Sequence, residues 1–386
     1  MTDNIAQSKQ RILALDIMRG MTIAGMILVN NPGSHHVYEP LEHAEWFGLT
    51  PTDLVFPFFM FIMGITTYLS LKKYQFKWSW SCARKIMKRA LLLWFIGLFM
   101  SWLFMFVRSM INPTLDVASM GERLWVSVNT LDHIRILGVL PRLGICYGLA
   151  AVIAMSVKHR YIPWLIALVF IVYVLILELF NGYDHDATSI LAIVDQAILG
   201  PGHVYRFETP DPEGVLSTLP ALAHVLIGFC VGKYVMELKS LDSKIEQMFL
   251  IGTLLTFAGF LLAYGCPISK KLWTPTFALV TCGMGLLLLA VLTWVIDKKN
   301  HQDWGTRFFE VFGVNPLALF VLSGLLLIPF GMLKIGDLTI QKMVYNGLSA
   351  TILSDKAASL TWAILYVLIN WSIGYILYKK KIFIKL

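Results

Sequence analysis

Residues 162 to 180 read IPWLIALVFIVYVLILELF, nineteen positions among which Glu178 carries the only charge. A helix that crosses the hydrocarbon core of a bilayer needs about 20 apolar residues, and this run leaves no polar face for water. Runs of the same kind recur along the chain. They are centred in 12 to 30, 52 to 71, 90 to 107, 137 to 157, 162 to 180, 215 to 232, 247 to 265, 274 to 296, 309 to 330 and 358 to 378. The composition agrees: 57% of the 386 residues are hydrophobic and 15% are charged, against about 25% charged in a soluble domain. The expected fold is therefore all-α, a polytopic integral membrane bundle of about ten transmembrane helices. Many helices can share one bundle, so residues 1–386 read as a single transmembrane domain. No fixed-period repeat is apparent, and the first apolar run continues without a small-residue cleavage site, so a cleaved signal is not expected.

The net charge of +8 does not point to nucleic acid, because the basic residues cluster at the ends of apolar runs, as topology determinants do. With the N-terminus inside, Lys9, Arg11 and Arg19, the seven basic residues from Lys72 to Arg89, Lys158 and Arg160, and the later clusters ending in Lys379, Lys380, Lys381 and Lys385 all fall on one side. That bias predicts cytoplasmic termini. Six of the nine histidines, His35, His36, His43, His133, His185 and His203, then fall outside. The outer connections 31 to 50, 108 to 136, 181 to 214 and 331 to 357 are long, and long polar-aromatic loops carry function. The five cysteines are widely spaced and form no metal motif or disulfide framework; no metal is expected.

The densest polar stretch at a membrane boundary lies between the first two spans: Asn30 to His36, Glu42 to Trp46, and Thr50-Pro51-Thr52-Asp53. Thr50 before Pro51 is a helix start, which places Asp53 in the first turn, where the helix dipole favours its anion. Acyl transfer to an amine requires a base, donors for the carbonyl oxyanion and an apolar wall. His43 supplies a base or nucleophile, Asp53 a carboxylate to orient it, and Asn30 an amide donor. On residue types alone the plainer account stands beside this one: Asp53 caps a helix, Asn30 satisfies a span end, and His43 is one loop histidine among several.

Other polar positions have similar double readings. Asp16 and Arg19, three apart, share a helix face at membrane depth, either as a functional pair or as an intrahelical ion pair with Arg19 snorkelling. Arg135 and Arg142 are suited to bidentate recognition of phosphate or carboxylate, or to pairing with nearby carboxylates. Asp211 and Glu213 before the sixth span, and Lys271 and Trp273 before the eighth, are helix-entry turns that also offer what a carbohydrate wants: carboxylates for hydroxyls and an amine, and Trp273 or Trp46 to stack on a sugar ring. Arg84, Lys88 and Arg89, at helical spacing, are positive-inside signal or a phosphate grip. A secondary transporter of a small polar substrate is the rival class, with Asp16, Arg19 and the outer titratable groups as its relay. Against it, the fifth, seventh and eighth spans are almost wholly apolar.

Several strings together resemble the heparan-alpha-glucosaminide N-acetyltransferase family. They are LDIMRG (Leu15 to Gly20) with MILVN (Met26 to Asn30), HAEWFGLTPTD (His43 to Asp53), LVFPFFMFIMG (Leu54 to Gly64), IRILGVLPRLGICY (Ile134 to Tyr147), DPEGVLSTLPAL (Asp211 to Leu222), CPISKKLWTPTF (Cys266 to Phe277) and GVNP (Gly313 to Pro316), in the family's order. The resemblance implies a multi-pass enzyme that uses cytosolic acetyl-CoA as co-substrate to acetylate an amino-sugar nitrogen across the membrane. His43 occupies the position of the family's catalytic histidine, and Asn30 and Asp53 those of its supporting polar groups. On this reading the phosphates of acetyl-CoA are expected to meet basic groups on the cytoplasmic side, Arg19 or the face of Arg84, Lys88 and Arg89, while the acceptor, an amino sugar or oligosaccharide, arrives from outside. Phe47 stands where the family often has Asn. The short stretch before the first span suggests a bacterial inner-membrane homologue with its site open to the periplasm, surrounded by membrane lipid, with small residues in the spans that allow a homodimer.

Overall fold

The structure is a computed structural model that describes residues 13–114, 119–205, 209–351 and 354–384; Lys9, Arg11 and Lys385 of the charge pattern lie outside the described residues. It is a helical bundle. Its elements are α1 (Leu13–Asn30), α2 (Val55–Lys72), α3 (Trp80–Met110), α4 (Met120–Val128), α5 (Val139–Ser156), α6 (Ile162–Leu179), α7 (Ile190–Leu199), α8 (Thr218–Glu237), α9 (Leu241–Leu262), α10 (Pro275–Leu292), α11 (Trp304–Val314), α12 (Pro316–Leu327), α13 (Ile340–Thr351) and α14 (Asp355–Lys379). A two-residue hairpin, Lys334–Ile335 with Leu338–Thr339, precedes α13. Among the described residues nine helices are long and apolar enough to cross a membrane, and α11 with the α12 segment forms a further pair bent by 83°.

The bend corrects the reading of 309 to 330 as one continuous span. Asn315 precedes Pro316, and a residue before proline is pushed out of the helical region; Asn315 has φ −126° and ψ 51°. The bend is braced rather than slack. The buried Asn315 side chain donates to the Ile382 carbonyl at 2.9 Å and accepts from the Ile384 N–H at 2.8 Å. The chain still changes ends across this segment. The Gly33 N–H, just past the end of α1, bonds to the Ser359 carbonyl near the start of α14 at 3.1 Å, so α14 begins at the end of the bundle where α1 finishes.

Helices approach closely where the sequence supplies glycine, as expected when packing rather than hydrophobic exclusion holds helices together in lipid. A Cβ built on Gly20 of α1 would stand 1.8 Å from the Phe309 carbonyl oxygen of α11, and one on Gly64 of α2 would stand 2.1 Å from the Val225 carbonyl oxygen of α8. Neither crossing accepts a side chain. The connections that contain α4, α7 and α13 cluster at the end of the bundle where α1 finishes and α2, α5, α8 and α10 begin. The polar cluster sits there.

Candidate active site

The connection from α1 to α2 is folded around one carboxylate. Pro51–Leu54 form a single tight turn before α2, entered through Thr50 in an extended conformation, and Asp53 is buried within that turn. Its Oδ2 accepts from the Ala44 N–H at 3.0 Å and the Thr50 N–H at 3.2 Å. Its Oδ1 lies 2.6 Å from His43 Nδ1 and 3.3 Å from the Lys270 ammonium. Capping and orientation, which read as alternatives in the sequence, are thus performed by the two oxygens of the same side chain. An anionic Oδ1 at 2.6 Å requires the proton on Nδ1, which leaves the Nε2 lone pair as the ring's proton acceptor. The His43 side chain is 46% exposed and that of Asp53 1%, so the ring is anchored from behind and open in front.

Lys270 comes from the short segment between α9 and α10, 227 residues away in sequence. Its Nζ is 3.0 Å from His43 Nδ1. With that nitrogen's proton directed to Asp53, Lys270 acts as an adjacent positive charge and as a donor to Asp53. Burial lowers its pKa, more than Asp53 and Glu213 restore it. Trp273 holds this segment in place: it takes a left-handed conformation, φ 52°, worth about 1–3 kcal/mol of strain, and its N–H closes a turn onto the Lys270 carbonyl at 3.1 Å. Thr274 then caps α10 through the Phe277 N–H, and the Gly48 N–H ties the His43 loop to the Ile268 carbonyl at 2.8 Å.

These groups face a cavity of about 320 Å³, walled by Asn30, His43, Asp53, Arg135, Glu213, Lys270, Lys271 and Trp273, with Met26, Val139 and Phe320 as part of its apolar lining. Arg135 bonds to both oxygens of Asp211, through Nε at 3.0 Å and through Nη2, and Nη2 also meets Glu213. Its guanidinium stacks on Tyr205, 4.4 Å from the ring centre. Burial would raise Glu213, but Arg135 and Arg142 outweigh it and hold that carboxyl below its usual range.

Three of the candidate substrate-binding residues lie behind this wall rather than on it. Trp46 donates to the Tyr183 carbonyl at 2.8 Å and stacks on His185 with ring centres 4.0 Å apart, joining two connections. Asp211 is spent on Arg135. Arg142 is fully buried, bonded to the Gly214 carbonyl at 3.0 Å and to the Ser217 hydroxyl, under the Trp273 ring. Arg19 pairs with Asp16 at 2.9 Å and reaches the Gly313 carbonyl at 3.3 Å. Arg84 and Lys88 are exposed near the start of α3, and Arg89 covers Tyr147 at 4.5 Å. Ser101, at the level of Arg135, is seventeen residues beyond Arg84, so about 25 Å separates that basic group from the site.

Two residues escaped the sequence reading. Lys270 is one. The other is Asp195 of α7, buried behind the cavity, whose Oδ1 accepts from the Val215 N–H at 2.7 Å while its Oδ2 has no hydrogen-bond partner among the described residues. Burial, aided by Asp211, pushes its pKa up to about 6. An aspartate within an apolar segment too short to span was the available signal.

Comparison with known proteins places the chain in a lineage. The model of the family described as heparan-alpha-glucosaminide N-acetyltransferase, catalytic, matches residues 11–265, which contain His43 and Asp53 and stop just short of Lys270. The chain is 26% identical to the mouse heparan-alpha-glucosaminide N-acetyltransferase over 447 aligned residues, covering 98% of this chain and 61% of the relative. It is 26% identical to the human protein of that name over 444 residues, covering 97% and 60%. The chain thus spans about three fifths of the length of these relatives.

Proposed function

The chain belongs to the heparan-alpha-glucosaminide N-acetyltransferase catalytic family, and on that premise we propose that it is a membrane-embedded N-acetyltransferase that moves an acetyl group from acetyl-CoA to the amine of a glucosamine-type sugar. The observation that carries this reading is the 2.6 Å contact between His43 and the buried Asp53 on the wall of a cavity that also holds Asn30. The pair is a base with its tautomer fixed; the cavity gives it a substrate.

In the reaction, the acceptor nitrogen, as a neutral amine, attacks the thioester carbonyl. The C–N bond forms, the developing oxyanion is steadied by the Asn30 amide, and the C–S bond breaks as the amine proton passes to His43 Nε2 and from there to the departing thiolate. The nitrogen enters as an ammonium in neutral water, so one proton first passes to solvent, directly or by way of His43, and the attack begins with Nε2 unprotonated. A two-step route, with acetyl carried on Nε2, uses the same geometry. Arg135, Glu213, Lys271 and Trp273 are positioned to hold the sugar.

The charge bias of the connecting segments supports a site on the face of the membrane away from the cytoplasm. The donor's phosphates then meet Arg19 or the Arg84, Lys88 and Arg89 face, and its thioester reaches about 25 Å to the site.

The test is direct. Purified protein with labelled acetyl-CoA and a panel of amino sugars yields N-acetyl product, and His43→Ala yields at most a trace. Acetylation undiminished in His43→Ala removes the histidine from the mechanism. Uptake of sugar into sealed vesicles without acetylation favours a transporter.

A further inference from the structure

A second cavity, of about 330 Å³, adjoins the first and shares Asn30, Arg135, Val139 and Phe320 as walls. Its remaining lining is mostly apolar and comes from α3, the start of α5 and α12, including Gly97, Met100, Phe104, Gly324 and Leu327. Arg135 is the one charged group among its lining residues, and Asp211 and Glu213 already engage it. The helix on its far side faces lipid: Phe95 and Phe99 of α3 are 56% and 53% exposed. At the seam between α3 and α12 the space left by Gly324 is filled by the tip of Met100, whose Cε would stand 2.7 Å from a Cβ built there. A methionine side chain with three rotatable bonds is a barrier that can swing aside. The part of α3 that lines the cavity is the half toward the His43 end of the bundle.

We propose that this second cavity receives the hydrocarbon chain of an amphiphilic acceptor, an amino sugar carried on a lipid, which enters sideways between α3 and α12 and presents its amine to His43. The assignment rests on the acetyl-transfer reading and narrows its acceptor. The lining favours a hydrocarbon over the donor's anionic end, because it offers no uncommitted cation, and its continuity with the first cavity lets one molecule occupy both. Apolar burial along a chain adds affinity with each methylene.

The experiment compares the octyl and methyl glycosides of glucosamine as acceptors for the purified protein in detergent, and adds a glucosaminide whose alkyl chain bears a diazirine. The octyl glycoside is expected to have a KM at least tenfold below that of the methyl glycoside at similar kcat. Gly324→Leu and, separately, Leu327→Trp are expected to erase that advantage while the methyl glycoside turns over within about twofold of wild type. Photolysis without donor is expected to label peptides covering 97–104 and 320–327. Equal KM values for the two glycosides, or labelling confined elsewhere, overturn the proposal. A raised KM for acetyl-CoA in both variants, with the octyl advantage intact, overturns it in favour of the donor. If neither glycoside is acetylated but the label maps to these two segments, the cavity assignment holds and the acetyl-transfer reading fails.

Discussion

His43 Nδ1 and Asp53 Oδ1 stand 2.6 Å apart, and the second oxygen of the same carboxylate receives the Ala44 and Thr50 backbone N–H groups. Loop shape and ring tautomer therefore depend on one buried charge. Asp53→Asn keeps the volume but presents an amide where donors converge, and the imidazole can then adopt the wrong tautomer. We expect kcat to fall by about 10³ to 10⁴, as when the orienting carboxylate of a catalytic triad is replaced. Thermal stability should fall too, since Asn cannot accept all of these bonds. Measuring kcat and melting temperature on the same preparation checks both; a variant with full activity removes Asp53 from the mechanism.

Lys270 supplies a pH signature. Because burial holds its ammonium below the ordinary lysine range, its charge is present at low pH and lost as pH rises through a value below about 10.4. Losing that charge strips Asp53 of the positive neighbour at 3.3 Å. The pH–rate profile should accordingly show a basic limb beneath the usual lysine range. Lys270→Arg, which stays charged, should move that limb upward, and Lys270→Met should be at least tenfold slower across the range. Profiles of wild type and Lys270→Arg that coincide at high pH would falsify this.

What the sequence made legible depended on range. The spans follow from runs of apolar residues, and the entry into α2 from Thr50, Pro51 and Asp53, all local signals. His43 and Asp53 are ten residues apart, within reach of a loop argument. Lys270 is 227 residues from His43, and the reading settled on its neighbour Lys271, because only the left-handed turn at Trp273 decides how the two lysines are disposed. The bend at Asn315-Pro316 had a local signal, the proline rule, but the apolar run across it read as a single span. Asp195 lies on an apolar helix of ten residues, too short to attract attention as a crossing.

The proposed role of Arg135 at the acceptor is testable by comparing the two substrates' KM values. Its planar fork engages both oxygens of Asp211 and reaches Glu213, a geometry that lysine does not reproduce. Arg135→Lys should raise the acceptor KM by about tenfold with the acetyl-CoA KM unchanged. Arg135→Ala leaves buried Asp211 with only the Tyr205 and Glu213 backbone N–H groups as donors, a loss of up to about 3–5 kcal/mol for a buried pair, and should cut the yield of folded protein. Equal effects of Arg135→Lys on both KM values would contradict the assignment of this residue to the acceptor.

Asp195 sets a limit on stability with pH. Its carboxyl is raised from 3.8 to about 6 by burial beside Asp211, so the folded state holds a proton that the unfolded chain releases. The protonated form favours the fold. That contribution is complete below about pH 4 and disappears as pH rises through about 6, the reverse of a salt-bridged carboxylate. Two pH units correspond to about 3 kcal/mol. Asp195→Asn imitates the neutral acid and keeps the acceptor for the Val215 N–H. The variant should melt only slightly above wild type at pH 4.5 and several degrees higher at pH 7.5, with most of the difference opening between those values. A difference that does not vary with pH would mean that Asp195 is already ionised in the folded protein at pH 4.5, with its Oδ2 served by a donor such as an ordered water.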